Sequence, residues 1–258
     1  TGRYTQNYLV LAEDAIAAAQ EARRLAGSRA GRVGYQAGSQ GGWVAPLAAR
    51  IAPVDFVIVG FGLAVSPIEE EREAIAYGMT RHGYGPDVVA KAAAFADASI
   101  AIMSSNFTDG FDALDAARRK YGAEPWFRYV RGDVTHIFLK MSREEMQKKG
   151  PALFAGVPLH YDPRLVLRSL DVPQLWILGA DDIDAPSGET TRRLGRLAAE
   201  GKPITVAVFP RTEHGIYEYE TGADDERRST RHPAGYLRMM RDFILNGRLT
   251  GEYGAAMT

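Results

Sequence analysis

Between Arg32 and Trp43 the sequence RVGYQAGSQGGW carries a short apolar stretch into a serine flanked by glycines, and then straight into a helix-forming run. A strand that turns this sharply into a helix holds its apex residue above the sheet edge. The helix N-terminus then offers that residue backbone N–H groups and the positive end of its dipole. Small residues two before and two after the apex let strand and helix approach without clashing. Here they are Ala37 and Gly41, so the pattern is A-x-S-x-G, a departure from G-x-S-x-G that keeps the steric requirement. The apex is Ser39, a candidate nucleophile, and the N–H of Gln40 after it is a candidate oxyanion donor. The same spacing also suits a Gly-Ser turn that only joins two elements.

The surroundings are those of an α/β protein. Helical periodicity covers residues 8–26, closed by Gly27, and continuous apolar runs at 56–60, 173–179 and 204–209 have the length and texture of buried parallel strands. A further strand is expected at 32–37, and helices at 43–51, 187–200 and 232–246. From 66 to 165 the texture changes to Ala-rich helical runs at 67–83, 86–105, 109–121 and 142–149, the last opened by a Ser142–Glu145 capping box. This block reads as a helical insertion, which assigns 1–65 and 166–258 to the core and 66–165 to a cap. The charged run at 224–228 reads as a solvated loop.

Composition narrows the function classes. In 258 residues, 46 % hydrophobic and 24 % charged, disorder is excluded, and a net charge of −1 argues against nucleic acid or an anionic membrane as the main partner. Zero cysteines removes disulfides, thiolate metal sites and a cysteine nucleophile together. No histidine–carboxylate spacing suggests zinc and no phosphate-binding loop is present, so neither metal nor cofactor is expected. No apolar run approaches the roughly 18–20 residues of a membrane span. A soluble protein is expected, with the compartment open between cytoplasm and a secreted or periplasmic location.

A serine nucleophile needs a base and a carboxylate to orient it. Asp182 follows the strand ending at Gly179, and His214 follows the strand ending at Phe209. Both lie just past strand carboxyl ends, where open α/β sheets build their sites. The order Ser…Asp…His is the one used with a strand–turn–helix nucleophile. His82, His136, His160 and His232 are assigned no chemistry.

The blocks AGSQGGWVAPLAAR, VPQLWILGADDIDAP and FPRTEHGI resemble those of the α/β-hydrolases, in particular bacterial serine esterases and peptidase-like hydrolases. The resemblance runs from Tyr8 to the C-terminal helix. It implies an α/β-hydrolase fold, a mostly parallel sheet with a helical cap insertion, with Ser39 as nucleophile, Asp182 as acid and His214 as base. The family pattern sets the acid three residues after the strand-end glycine and four before a proline, which favours Asp182 over its neighbours Asp181 and Asp184. It also implies that the first strands, and the second oxyanion donor they carry, are absent from this chain. A companion N-terminal segment or chain is therefore expected to complete the sheet beside 32–37, and the chain alone to be neither stable nor active.

The expected activity is hydrolysis of a small-molecule carboxylic ester, thioester or amide through an acyl-enzyme. A peptidase of the same fold is the alternative within the class. From other classes come an N-terminal Thr1 nucleophile and a catalytically silent binding module. Trp43, Trp126 and Phe127 are candidate substrate-binding residues, with packing inside core or cap as the competing use of their rings.

Overall fold

In the computed structural model, which describes residues 4–223 and 226–258, the helical periodicity at the start of the chain becomes α1 (Tyr8–Ala26). Gly27, at φ 54°, ends it in the left-handed conformation that glycine tolerates. The chain continues through β1 (Tyr35–Gly38), α2 (Gly41–Ile51) and β2 (Val57–Gly60). Five helices follow: α3 (Pro67–Arg81), α4 (Pro86–Ser104), α5 (Phe111–Tyr121), α6 (Thr135–Phe138) and α7 (Arg143–Leu153). Then come α8 (Pro163–Ser169), β3 (Gln174–Gly179), α9 (Gly188–Ala199) and β4 (Ile204–Phe209). A short ribbon of β5 (Thr212–Glu213), β6 (Tyr217–Thr221) and β7 (Arg227–Ser229) precedes α10 (Tyr236–Asn246).

The contacts divide the chain into two units: Tyr8–Val65 with Asp162–Thr258, and Ser66–Tyr161 with the N-terminal residues up to Asn7. In the first unit β1-β2-β3-β4 form a sheet in that order, parallel throughout, with Tyr35 opposite Val57, Val57 opposite Gln174 and Gln174 opposite Ile204. One face of the sheet packs Ile58, Leu175, Ile177 and Phe209 against Tyr236, Met239 and Phe243 of α10. Strand residues alternate between faces, and α2 and α9 contact the sheet at β1–β2 and β4. Among the described residues β1 pairs only with β2, so its far edge is free. The groove beside that edge, about 620 Å³, is lined by Gln36 and by Tyr236, Leu237, Met240, Ile244 and Leu245 of α10, among others.

In the second unit, Phe95, Ile102, Phe107, Leu114, Trp126 and Phe138 are the centre of a separate apolar core. Both serine-led helices start with a complete capping box, Ser66 with Glu69 and Ser142 with Glu145. Buried Glu71 accepts from the N–H groups of Val134 (2.9 Å) and Thr135 (3.0 Å) at the start of α6.

Several boundaries differ from expectation. β1 begins at Tyr35 rather than at residue 32, because the Val33 N–H is taken by the Asp55 carboxylate (2.7 Å) and the Val33 carbonyl by the Asp55 N–H (2.8 Å). These bonds bind the preceding residues to a loop and not to a ladder. The N-terminal residues group with the helical unit and not with the sheet, since the Gln6 N–H donates to the Ala155 carbonyl (2.7 Å). Residues 162–165 group with the sheet, where Asp162 caps the unanticipated α8 through the Arg164 N–H (3.0 Å). Arg227 and Arg228 of the charged run belong to strand β7, while Asp224 and Asp225 lie outside the described residues. Thr1 also lies outside them.

Candidate active site

Ser39 sits between β1 and α2 at φ 51°, a left-handed backbone that serine adopts at a cost. Ladder and helix bonds on either side hold it there: its N–H donates to the Gly60 carbonyl (3.1 Å), and its carbonyl accepts from the Gly42 N–H (2.8 Å). The small residues around it are sterically required. A Cβ on Gly41 would lie 2.6 Å from the Cβ of Ala37, and one on Gly38 would lie 2.3 Å from the Phe61 ring. Gln40 occupies the N-cap of α2, so its N–H follows the serine at the positive end of that helix.

Strands β3 and β5 lead into the other two groups. Asp182 follows β3 in a tight loop and is buried. Its Oδ1 accepts from the Asp184 N–H (3.0 Å) and the Ala185 N–H (2.8 Å). Its Oδ2 lies 2.9 Å from His214 Nδ1. His214 follows β5, and its Nε2 lies 3.2 Å from Ser39 Oγ. With Nδ1 donating to a carboxylate, which can only accept, Nε2 is left as acceptor for the serine hydroxyl. Phe61, itself at φ 42°, meets the imidazole edge-on with centroids 4.8 Å apart. Loop approach is close here too. A Cβ on Gly179 would lie 2.8 Å from the Thr212 carbonyl oxygen, so the loops that carry Asp182 and His214 pack backbone to backbone.

The structure thus brings Ser39, His214 and Asp182 into one hydrogen-bonded chain, and it brings Asp182 rather than Asp184 to the imidazole. Of the three candidate aromatics, only Trp43 lies in the same unit as these three residues. Trp43 is 6 % exposed, stacks on Tyr8 at 5.1 Å and donates from Nε1 to the Val65 carbonyl (2.7 Å), so packing consumes its ring. Trp126, 3 % exposed, belongs to the core of the helical unit, and Phe127 packs against that core. Sequence reasoning passed over Phe61, although a glycine-flanked aromatic directly after a buried strand is a visible signal. It also passed over β6, whose alternating Tyr217-Glu218-Tyr219-Glu220 has the two-residue period of a strand.

A parallel sheet, a left-handed serine at the β1–α2 corner, Asp182 in the loop after β3 and His214 directly after β5 make an arrangement of the kind that the α/β-hydrolase fold uses. No family model and no curated protein matches the chain. Among solved structures it is similar to an acylaminoacyl peptidase from Pyrococcus horikoshii, at 14 % identity and TM-score 0.36, over 76 % of this chain and 22 % of that one. It is similar to a puromycin-hydrolyzing peptidase from Mycobacterium tuberculosis, at 20 % identity and TM-score 0.40, over 80 % and 22 %. A thermophilic esterase from Thermogutta terrifontis is similar at 19 % identity and TM-score 0.37, over 83 % and 66 %. The chain therefore spans about a fifth of the length of each peptidase. Among the described residues no helix is long and apolar enough to cross a membrane.

Proposed function

We propose that this chain carries the reacting groups of a serine hydrolase that cleaves carboxylic esters through an acyl-enzyme. The observation that carries the reading is the continuous path from Ser39 Oγ to His214 to Asp182, at 3.2 and 2.9 Å. His214 Nε2 takes the hydroxyl proton as Ser39 attacks the substrate carbonyl. The oxygen that becomes negative is met by the Gln40 N–H. Asp182 holds the imidazole in the tautomer that can accept, and stabilises the imidazolium that forms. The same imidazolium then protonates the departing alcohol, and water resolves the acyl-enzyme by the reverse route. Thioesters and amides are open to the same attack, with amides the harder case because their leaving group is poorer.

A second oxyanion donor is part of the proposal, supplied by a strand seated in parallel on the free edge of β1. Three features support it. Gln36 on that edge is exposed, the groove beside it is apolar, and Leu237 and Leu245 of α10 stand 65 % and 66 % exposed there. Lacking one such donor costs about 10²–10³ in rate. Ser39→Ala should lower turnover of a chromogenic short-chain ester on the order of 10³-fold or more with the fold intact, because nucleophile and base act as a unit. A fluorophosphonate should label Ser39 in the parent and nothing in the variant. Retained turnover, or label on Thr1, would eliminate this reading, and an unlabelled parent would favour a silent binding module.

A further inference from the structure

The ribbon β5–β6–β7 reaches the two residues that stand immediately before the acid and the base. Tyr219 Oη, on β6, donates to Asp181 Oδ2 at 2.7 Å. Arg227 Nη1, on β7, donates to the Asp181 carbonyl oxygen at 2.6 Å. The Arg227 guanidinium carbon lies 3.9 Å from the centre of the Tyr219 ring, so the two side chains form one stacked clamp. On the base side, Ser229 Oγ donates to Glu213 Oε1 at 2.5 Å, and Glu213 is buried directly ahead of His214. The two loops are also joined by the Asp181 N–H, which donates to the Thr212 carbonyl (3.0 Å). The ribbon itself is held at its far side. His232 Nδ1 is 2.9 Å from the Ile216 carbonyl oxygen, with its ring stacked on Tyr217 at 4.2 Å.

We propose that Arg227, Tyr219 and Ser229 are positioning residues that set the Asp182–His214 hydrogen bond through their neighbours in sequence; the inference rests on the hydrolase reading above. The Asp181 carbonyl belongs to the peptide unit that joins Asp181 to Asp182. Because that unit is planar, a cation held on its oxygen fixes the plane from which the Asp182 side chain departs. The N–H groups of Asp184 and Ala185 hold the carboxylate from the other end. Asp182 is thus restrained from both sides. The Arg227 hydrogen bond goes to the Asp181 carbonyl, so its influence on Asp182 runs through the backbone it clamps.

The test uses the full-length protein with Arg227→Met, Arg227→Lys and Tyr219→Phe. Arg227→Met should lower kcat about 10- to 100-fold with KM nearly unchanged, the scale expected when an outer partner or a small misplacement disturbs a reacting group. Arg227→Lys, which restores a cationic donor, should recover part of that loss. In an Asp182→Asn background the same Arg227→Met change should cost under about threefold, because it acts through the carboxylate already removed. The far-downfield proton signal of the His214 Nδ1–H should move or broaden in Arg227→Met and in Tyr219→Phe. That signal is read in Ser39→Ala protein as well, so it reports on the clamp whether or not the chain hydrolyses esters. Should Arg227→Met fail to fold, Tyr219→Phe, which removes a single hydroxyl, decides the matter. An unchanged signal and rate in Tyr219→Phe and Arg227→Met would overturn the proposal. So would an equal loss in the Asp182→Asn background. Retained turnover in Ser39→Ala would instead sink the hydrolase reading while leaving the proton signal to judge the clamp.

Discussion

Asp182 and Asp184 stand two positions apart, yet only one faces His214. Asp182 is buried and spends both oxygens on three donors, whereas Asp184 is exposed and contributes its backbone N–H to that same network. Asp182→Asn is expected to lower ester turnover on the order of 10³–10⁴-fold, since an amide in this place holds the imidazole in the wrong tautomer. Asp184→Asn should stay within about threefold, because its backbone donor survives and surface side chains away from special features contribute little. Steady-state kinetics on both variants checks the pair, and equal or inverted losses would refute the assignment. Single residues were legible in this sequence where a local rule constrained them. Ala37 and Gly41 announce the close approach around Ser39 because only small side chains fit it. The rings of Trp43 and Trp126 announce nothing comparable, since a buried aromatic and a pocket-lining aromatic look alike until the neighbours are known.

Elements with a strong period were read almost to their ends, as α1 and β4 illustrate, because burial of one face dictates the spacing of apolar residues. The ribbon was not. Its defining contacts, Arg227 to Asp181 and Ser229 to Glu213, join residues that are 46 and 16 apart, and no local pattern encodes such pairs. Helix α6 poses a related case, for its first N–H groups are satisfied by Glu71 from another helix. Burial pushes the Glu71 carboxyl above its ordinary range, against the opposing pull of the Thr135 and Val134 donors. A carboxyl whose folded value is raised stabilises the fold fully below its unfolded pKa, and that contribution is lost as pH rises through the folded value. Urea unfolding of the parent and Glu71→Gln from pH 4.5 to neutrality should therefore show the parent losing stability with rising pH relative to the variant. Parallel curves would contradict the sign. Glu71→Ala should cost about 2 kcal/mol or more at any of these pH values, because it leaves two buried N–H groups without acceptors.

At the level of the whole chain, the free edge of β1 is the dominant liability. A parallel strand with one bare ladder of backbone groups, next to exposed Leu237 and Leu245, invites pairing with whatever strand is near. The purified chain alone should associate as its concentration rises, and Leu237→Lys with Leu245→Lys should weaken that association. Light scattering across a dilution series checks this, and a monodisperse, fully active monomer would refute it. The order of strands in the sheet carries another consequence, one of timing. β2 pairs with β1 on one side and with β3 on the other, yet residues 61–173 must be made between β2 and β3. At about 5–20 residues per second, a ribosome needs roughly 6–24 s to deliver β3. Throughout that interval Val57-Ile58-Val59-Gly60, every residue of which is buried in the finished sheet, lacks one of its two neighbours. The nascent chain therefore waits on its own translation, and the synthesis speed through the helices between β2 and β3 sets how long the earlier strand stands half-paired.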